Sequence, residues 1–162
     1  MTVQNKKILL IGFGNPARAD DGLGPAVAES IETKNLPDVT VEADYQLTVE
    51  DSAQIAEYDI VIFTDASANC PEPFSLEPLN ARQEGSFSSH SVEPAQVMTL
   101  AENLFNSKAK AFMLGIRGYE FDRFGAGLSE KAKNNMKKAV DFVVDLLKTK
   151  NFNKLNKEVA CF

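Results

Sequence analysis

The side chains best suited to chemistry in this 162-residue chain are carboxylates set just beyond apolar runs. Asp20 and Asp21 follow the run Ile8–Ile11 across a short glycine-containing loop, Asp44 follows Val39–Ala43, and Asp65 follows Asp59–Thr64. If those runs are neighbouring strands, the carboxylates after the first and third converge on one sheet edge, with Asp44 nearby from the second. Such a cluster repels itself unless one acid keeps its proton or a cation is bound. A divalent metal joined by an imidazole would satisfy it. The chain has one histidine, His90, so it is the only candidate, and any site built on two histidines is excluded. Each residue also has a plainer reading. An aspartate near a helix start caps it or complements its dipole, Asp65 suits a turn, and His90 in Ser86–Ser91 suits an exposed loop.

The elements that must position these groups follow from patterning. Short apolar runs alternate with helical segments, the pattern of an α/β domain. Lys7–Gly12, Val39–Ala43, Asp59–Thr64 and Ala109–Ile116 read as strands, apolar enough for a sheet covered on both faces. Phe74–Leu79, bracketed by prolines, reads as an edge strand. Helices are expected over Pro25–Thr33, Asp51–Glu57, Pro94–Phe105 and Ser129–Lys150. The last has Met136, Val140, Val143, Val144 and Leu147 on one face. The expected fold is a single domain over residues 1–150, a mostly parallel twisted sheet of about five strands with helices on both faces. Residues 151–162 are expected to form a loosely held tail. In such sheets ligands bind beyond the carboxyl ends of the strands, so the acids above and Gly115–Gly118 lie where a site belongs.

Composition narrows the function. Seventeen Lys and Arg against 23 Asp and Glu leave a net charge of −6, which speaks against a sequence-independent nucleic-acid binder. No apolar run approaches the roughly 18–20 residues that span a bilayer, and the N-terminus has no signal-cleavage pattern, so a cytoplasmic protein without membrane association is expected. Cys70 and Cys161 are too few for a zinc knuckle or a disulfide framework. The acidic surface favours a monomer. Gly12-x-Gly14-x-x-Ala17 matches a dinucleotide fingerprint, with Asp44 where a ribose-binding acid would sit. Against it, Pro16 and Asp20-Asp21 occupy a helix entrance where a pyrophosphate needs free N–H groups and positive potential.

The segment Gly12-x-Gly14-Asn15-Pro16-x-Arg18-x-Asp20-Asp21-Gly22-x-Gly24-Pro25 resembles the N-terminal signature of the hydrogenase maturation proteases, endopeptidases that process the large subunit of nickel-iron hydrogenases. The likeness continues through Asp44, Asp65-Ala66, a loop histidine before a helix and Leu114-Gly115-Ile116, covering about residues 7–148. It implies that Asp21, Asp65 and His90 are the catalytic and metal-contacting residues. Some relatives have glutamate at the first of these positions, so Asp21 keeps the charge with a shorter reach. It implies substrate contacts at Asn15, Asp20 and Asp44. The implied reaction removes a C-terminal extension from a nickel-loaded [NiFe] hydrogenase large-subunit precursor. The nickel belongs to the substrate and reports that assembly is complete, and no tightly bound organic cofactor is expected. The aspartic-type peptidase label comes with the family. No Ser-His-Asp spacing or His-Glu-x-x-His helix supports another hydrolase class. The competing readings are an NAD-binding oxidoreductase domain and a non-catalytic accessory protein that binds a metallated partner.

Overall fold

The computed structural model describes residues 6–80, 92–155, 160 and 161. Strands β1 (Ile8–Phe13), β2 (Val39–Asp44), β3 (Ile60–Ser67), β4 (Phe74–Leu79), β5 (Lys110–Arg117) and β6 (Ala160–Cys161) form one sheet in the order β2-β1-β3-β5-β4-β6. β2, β1, β3 and β5 run parallel, β4 is antiparallel to β5, and β6 is antiparallel to β4. Helices α1 (Leu23–Glu32), α2 (Asp51–Ile55), α3 (Pro94–Phe105) and α4 (Glu130–Thr149) complete the chain.

Alternation along the strands divides the apolar residues between two cores. Ile8, Leu10, Ile60, Ile62, Phe112 and Leu114 meet α1 and α4 on one face. Leu9, Ile11, Val61 and Phe63 meet α2 and α3 on the other. The α4 face read from the sequence holds: Val140, Val143 and Leu147 are buried, and Met136 and Val144 pack against them. Ser129 caps α4, its hydroxyl accepting the Ala132 N–H at 3.3 Å. Glu93 and Gln96 form a reciprocal capping box at the start of α3, with Pro94 in its first turn.

Three details refine the expectations. The mostly parallel sheet of about five strands is present, and the two-residue β6 adds a sixth by pairing with β4 at Ser75 and Leu76. β4 therefore lies one place in from the edge at Ser75 and Leu76. The segment expected to be a loose tail begins with anchored side chains: Phe152 and Leu155 are buried, and the Phe152 ring lies 5.3 Å from that of Phe112. A single aromatic in a polar stretch shows no periodicity, so the sequence does not reveal this docking. Third, β3 runs on to Ser67, which puts Asp65 on the strand itself, opposite Gly115 of β5.

Candidate functional site

The chain leaves β1 to form β2 on one side and returns to form β3 on the other, so the strand order reverses between β1 and β3. The crevice at the carboxyl ends of two such strands is where α/β sheets bind ligands. Here it is flanked by the turn after β1 and by the last residues of β3.

The turn after β1 is built by close approach. A Cβ on Gly12 would collide with the Gly24 carbonyl, and one on Gly24 with the Phe13 and Thr64 carbonyls, so both glycines let α1 start directly against the sheet. Gly14 has φ +146°, and the space beside its Cα is filled by the Asp21 carbonyl. The glycine spacing that suggested a dinucleotide fingerprint thus makes room for the protein's own backbone. Within the turn the Asn15 side-chain oxygen accepts the Ala17 N–H at 2.9 Å, and the Asn15 carbonyl accepts the Arg18 N–H at 3.0 Å. The Asn15 N–H donates to the Asp21 carboxylate at 2.9 Å. One Asp21 oxygen is therefore fixed by the backbone of its own loop.

Asp65 occupies the end of β3. Alternation from Val61 and Phe63 puts it on the α2 and α3 face of the sheet. It is partly buried, and one carboxylate oxygen accepts the Ala66 N–H at 2.8 Å. Burial drives its pKa upward, the Ala66 hydrogen bond opposes this, and the negative charge of Asp21 adds to the rise, bringing the group to about 7. Asp65 therefore senses the charge of Asp21, which helps to keep it protonated near neutrality. Such a pair can take or give a proton at neutral pH, or lose it altogether to a bound cation.

The remaining sequence-predicted residues divide. Asn15 belongs to the site, but through its backbone: its N–H holds Asp21 while its side chain shapes the loop. Asp44 ends β2 beside the same turn. Its carbonyl accepts the Gly14 N–H at 3.1 Å, its side chain is exposed, and with Gly14, Pro16, Pro25, Ala43 and Tyr45 it lines a groove of about 250 Å³. Asp20 corrects the reading as a substrate contact. It is 0% exposed and its carboxylate accepts hydrogen bonds from Ser129, Tyr119 and Glu120, leaving no face for a substrate. Burial raises its pKa, but the hydrogen bonds from Ser129, Glu120 and Tyr119 outweigh this and hold it below the usual carboxylate range. His90 lies outside the described residues. Among the described residues, no three metal-ligating side chains come together. The sequence reading missed the partners of Asp20, since nothing in a linear pattern connects an acid to backbone N–H groups about a hundred residues away.

Fold and site together define a class: an open α/β sheet with an acid pair at the switch point, similar to the hydrogenase maturation proteases that the N-terminal motif resembles. The chain is 28% identical over 157 residues to a Methanocaldococcus jannaschii protein named "Putative hydrogenase maturation protease", with 90% of this chain and 99% of that one covered. Among solved structures it is similar to the [NiFe] hydrogenase maturation protease HycI of Thermococcus kodakarensis, with a TM-score of 0.71 and 22% identity over 88% of this chain and 93% of that one. The maturating endopeptidase HybD of Escherichia coli gives a TM-score of 0.69 and 22% identity, over 90% and 94%. No family model matches the chain. The resemblance that begins at Gly12 thus extends through the fold. Among the described residues no helix is long and apolar enough to cross a membrane.

Proposed function

We propose that this protein is an endopeptidase that removes the C-terminal extension of a [NiFe] hydrogenase large-subunit precursor once nickel is loaded. The observation that carries the reading is the Asp21–Asp65 pair at the β1–β3 switch point, with Asp65 raised to about 7. Similarity to hydrogenase maturation proteases along nearly the whole chain supports the substrate class.

In this reading Asp21, Asp65 and His90 contact the nickel of the precursor and hold the scissile peptide beside it. Carboxylate and imidazole are suitable Ni(II) ligands. A divalent cation at the pair favours the ionised form of both acids, so binding expels the proton that Asp65 holds near neutrality. That gives the enzyme a way to distinguish loaded from empty precursor: only the loaded one neutralises the repulsion between the two carboxylates. An acid titrating near 7 is also placed to exchange a proton with an attacking water or a leaving amine. The protein works in the cytoplasm as a monomer and needs no resident cofactor.

The test is mass spectrometry of a nickel-loaded precursor incubated with the wild type and with Asp21→Asn, Asp65→Asn and His90→Ala. Cleavage by the wild type at one C-terminal position, lost in each variant while the fold persists, is the expected result. Unchanged cleavage by a variant removes that residue from the site. Wild-type binding without any cut overturns the protease reading in favour of an accessory protein.

A further inference from the structure

The fully buried carboxylate of Asp20 sits beside Asp21 in sequence yet is bound to the segment after β5. Its Oδ2 accepts the Tyr119 N–H at 2.8 Å, the Glu120 N–H at 3.0 Å and the Ser129 hydroxyl at 2.8 Å, and its Oδ1 accepts the Ser129 N–H at 2.7 Å. The backbone takes part as well, the Asp20 N–H donating to the Glu120 carbonyl at 2.8 Å. Every group facing the carboxylate is a donor. Only an ionised acid offers acceptors on both sides; an amide would set its NH2 against one of those donors. Ser129 is also the N-cap of α4 and accepts the Ala132 N–H, so one chain of hydrogen bonds runs from the start of α4 through Ser129 to Asp20.

Two further features show that the chain is built around this contact. Gly118 directly follows β5, and a Cβ there would lie 2.9 Å from the Asp20 Cβ and 3.0 Å from the Phe121 ring. Ala19 has φ +50°, in the left-handed region that L residues adopt at a cost, and it is buried. The strained backbone of the Ala19–Gly22 turn is thereby held between two anchors. On one side Asp20 is tied to the 119–129 segment; on the other Asp21 is tied to Asn15.

We propose that Asp20 is a positioning residue that sets where the Asp21 carboxylate sits relative to Asp65, by fixing their turn to the N-terminus of α4. This rests on the assignment of Asp21 and Asp65 to the site. It adds a dependence of the acid pair on a segment after β5 that contributes none of the predicted catalytic side chains.

The experiment compares the wild type with Asp20→Asn, and with Ser129→Ala, which removes the hydroxyl bond but leaves the three backbone donors. Amide hydrogen exchange gives the first readout. Loss of positioning makes the Asn15 amide, which reports the Asp21 carboxylate, exchange at least tenfold faster in Asp20→Asn while Leu9 and Ile62 in the sheet keep their protection. A merely structural role would loosen Tyr119, Glu120 and Ser129 and leave Asn15 unchanged, and that result overturns the proposal. Cleavage of nickel-loaded precursor gives the second. Here kcat is expected to fall at least tenfold with KM within twofold in Asp20→Asn, and by a smaller factor in Ser129→Ala. Unchanged kcat in folded variants of an active wild type overturns the proposal. An inactive wild type overturns the protease reading instead, and the Asn15 exchange rate still decides the role of Asp20. If Asp20→Asn does not fold, Ser129→Ala carries both readouts: faster Asn15 exchange and a lower kcat than the wild type are expected, and no change in either overturns the proposal.

Discussion

Replacing Asp65 by asparagine separates the electrostatics of the acid pair from every other titration in the protein. Asparagine keeps an oxygen for the Ala66 N–H that the carboxylate accepts at 2.8 Å and removes the titratable group. The Asp65 carboxyl, ordinarily near 3.8, is raised to about 7, chiefly by burial, against the Ala66 bond and with help from Asp21. The folded chain therefore binds a proton at Asp65 more tightly than the unfolded chain. Between those two values the unfolded state is ionised and the native state is not, so stability falls as pH rises, and the loss is complete above the folded value. At about 1.4 kcal/mol per pKa unit, the wild type should lose roughly 2–3 kcal/mol relative to the variant between pH 5 and pH 8. For a domain of this size that is a change of roughly 5–10 °C in the difference between their melting temperatures. Calorimetric or urea denaturation of both proteins at half-unit pH steps, without added metal, makes the comparison. The variant should gain on the wild type steadily up to pH 7 and then hold its advantage. A difference that does not change with pH would refute the argument, because it would mean that Asp65 titrates alike in the folded and unfolded chains.

Further outcomes follow from the same structure. Asp21→Asn should lower the Asp65 pKa from about 7 without restoring its ordinary value, since burial is the larger cause; carboxyl NMR titration measures this. Gly12→Ala should destabilise by about 2 kcal/mol or more or prevent folding, because the new methyl meets the Gly24 carbonyl and the Ala28 side chain at 2.8 Å; chemical denaturation is the check. Phe152→Ala should cost about 3 kcal/mol through loss of packing on Phe112. Phe124→Ala, at a residue 72% exposed, should stay within about 0.5 kcal/mol in the same assay.

What the sequence made legible was set by local forces. Phe74–Leu79 and Pro94–Phe105 occur with the bounds expected from their punctuation, and Ser129–Lys150 differs only in that its end residues act as caps. Apolar periodicity and capping chemistry are short-range, so they survive in a linear reading. The candidate acids were legible because strand ends in a parallel sheet share an edge. The roles of adjacent acids were not. Asp20 and Asp21 look equivalent in the motif, but one is buried against Tyr119, Glu120 and Ser129 while the other turns to Asn15. Only the tertiary path of residues 118–129 breaks that equivalence. The docking of Phe152 and Leu155 escaped for the same reason, as its partner Phe112 lies 40 residues from Phe152 and carries no matching pattern.

Among the described residues, β2 is the outermost strand on one margin of the sheet, while β6 pairs with β4 on the other. Val39 and Val41 turn inward to the core, so Thr40, Glu42 and Asp44 share the opposite face. Asp51 of α2 adds to this crowd: its pKa is raised, by burial above all, against a Thr48 hydrogen bond and with Asp44 and Glu42 contributing. Two copies meeting strand to strand in antiparallel fashion would set Glu42 against Glu42 in one register and against Asp44 in the next. Like charges so opposed disfavour the pairing. Among the described residues this margin is guarded by like charge rather than by a further strand, a device that keeps the open side of a sheet from recruiting a second copy.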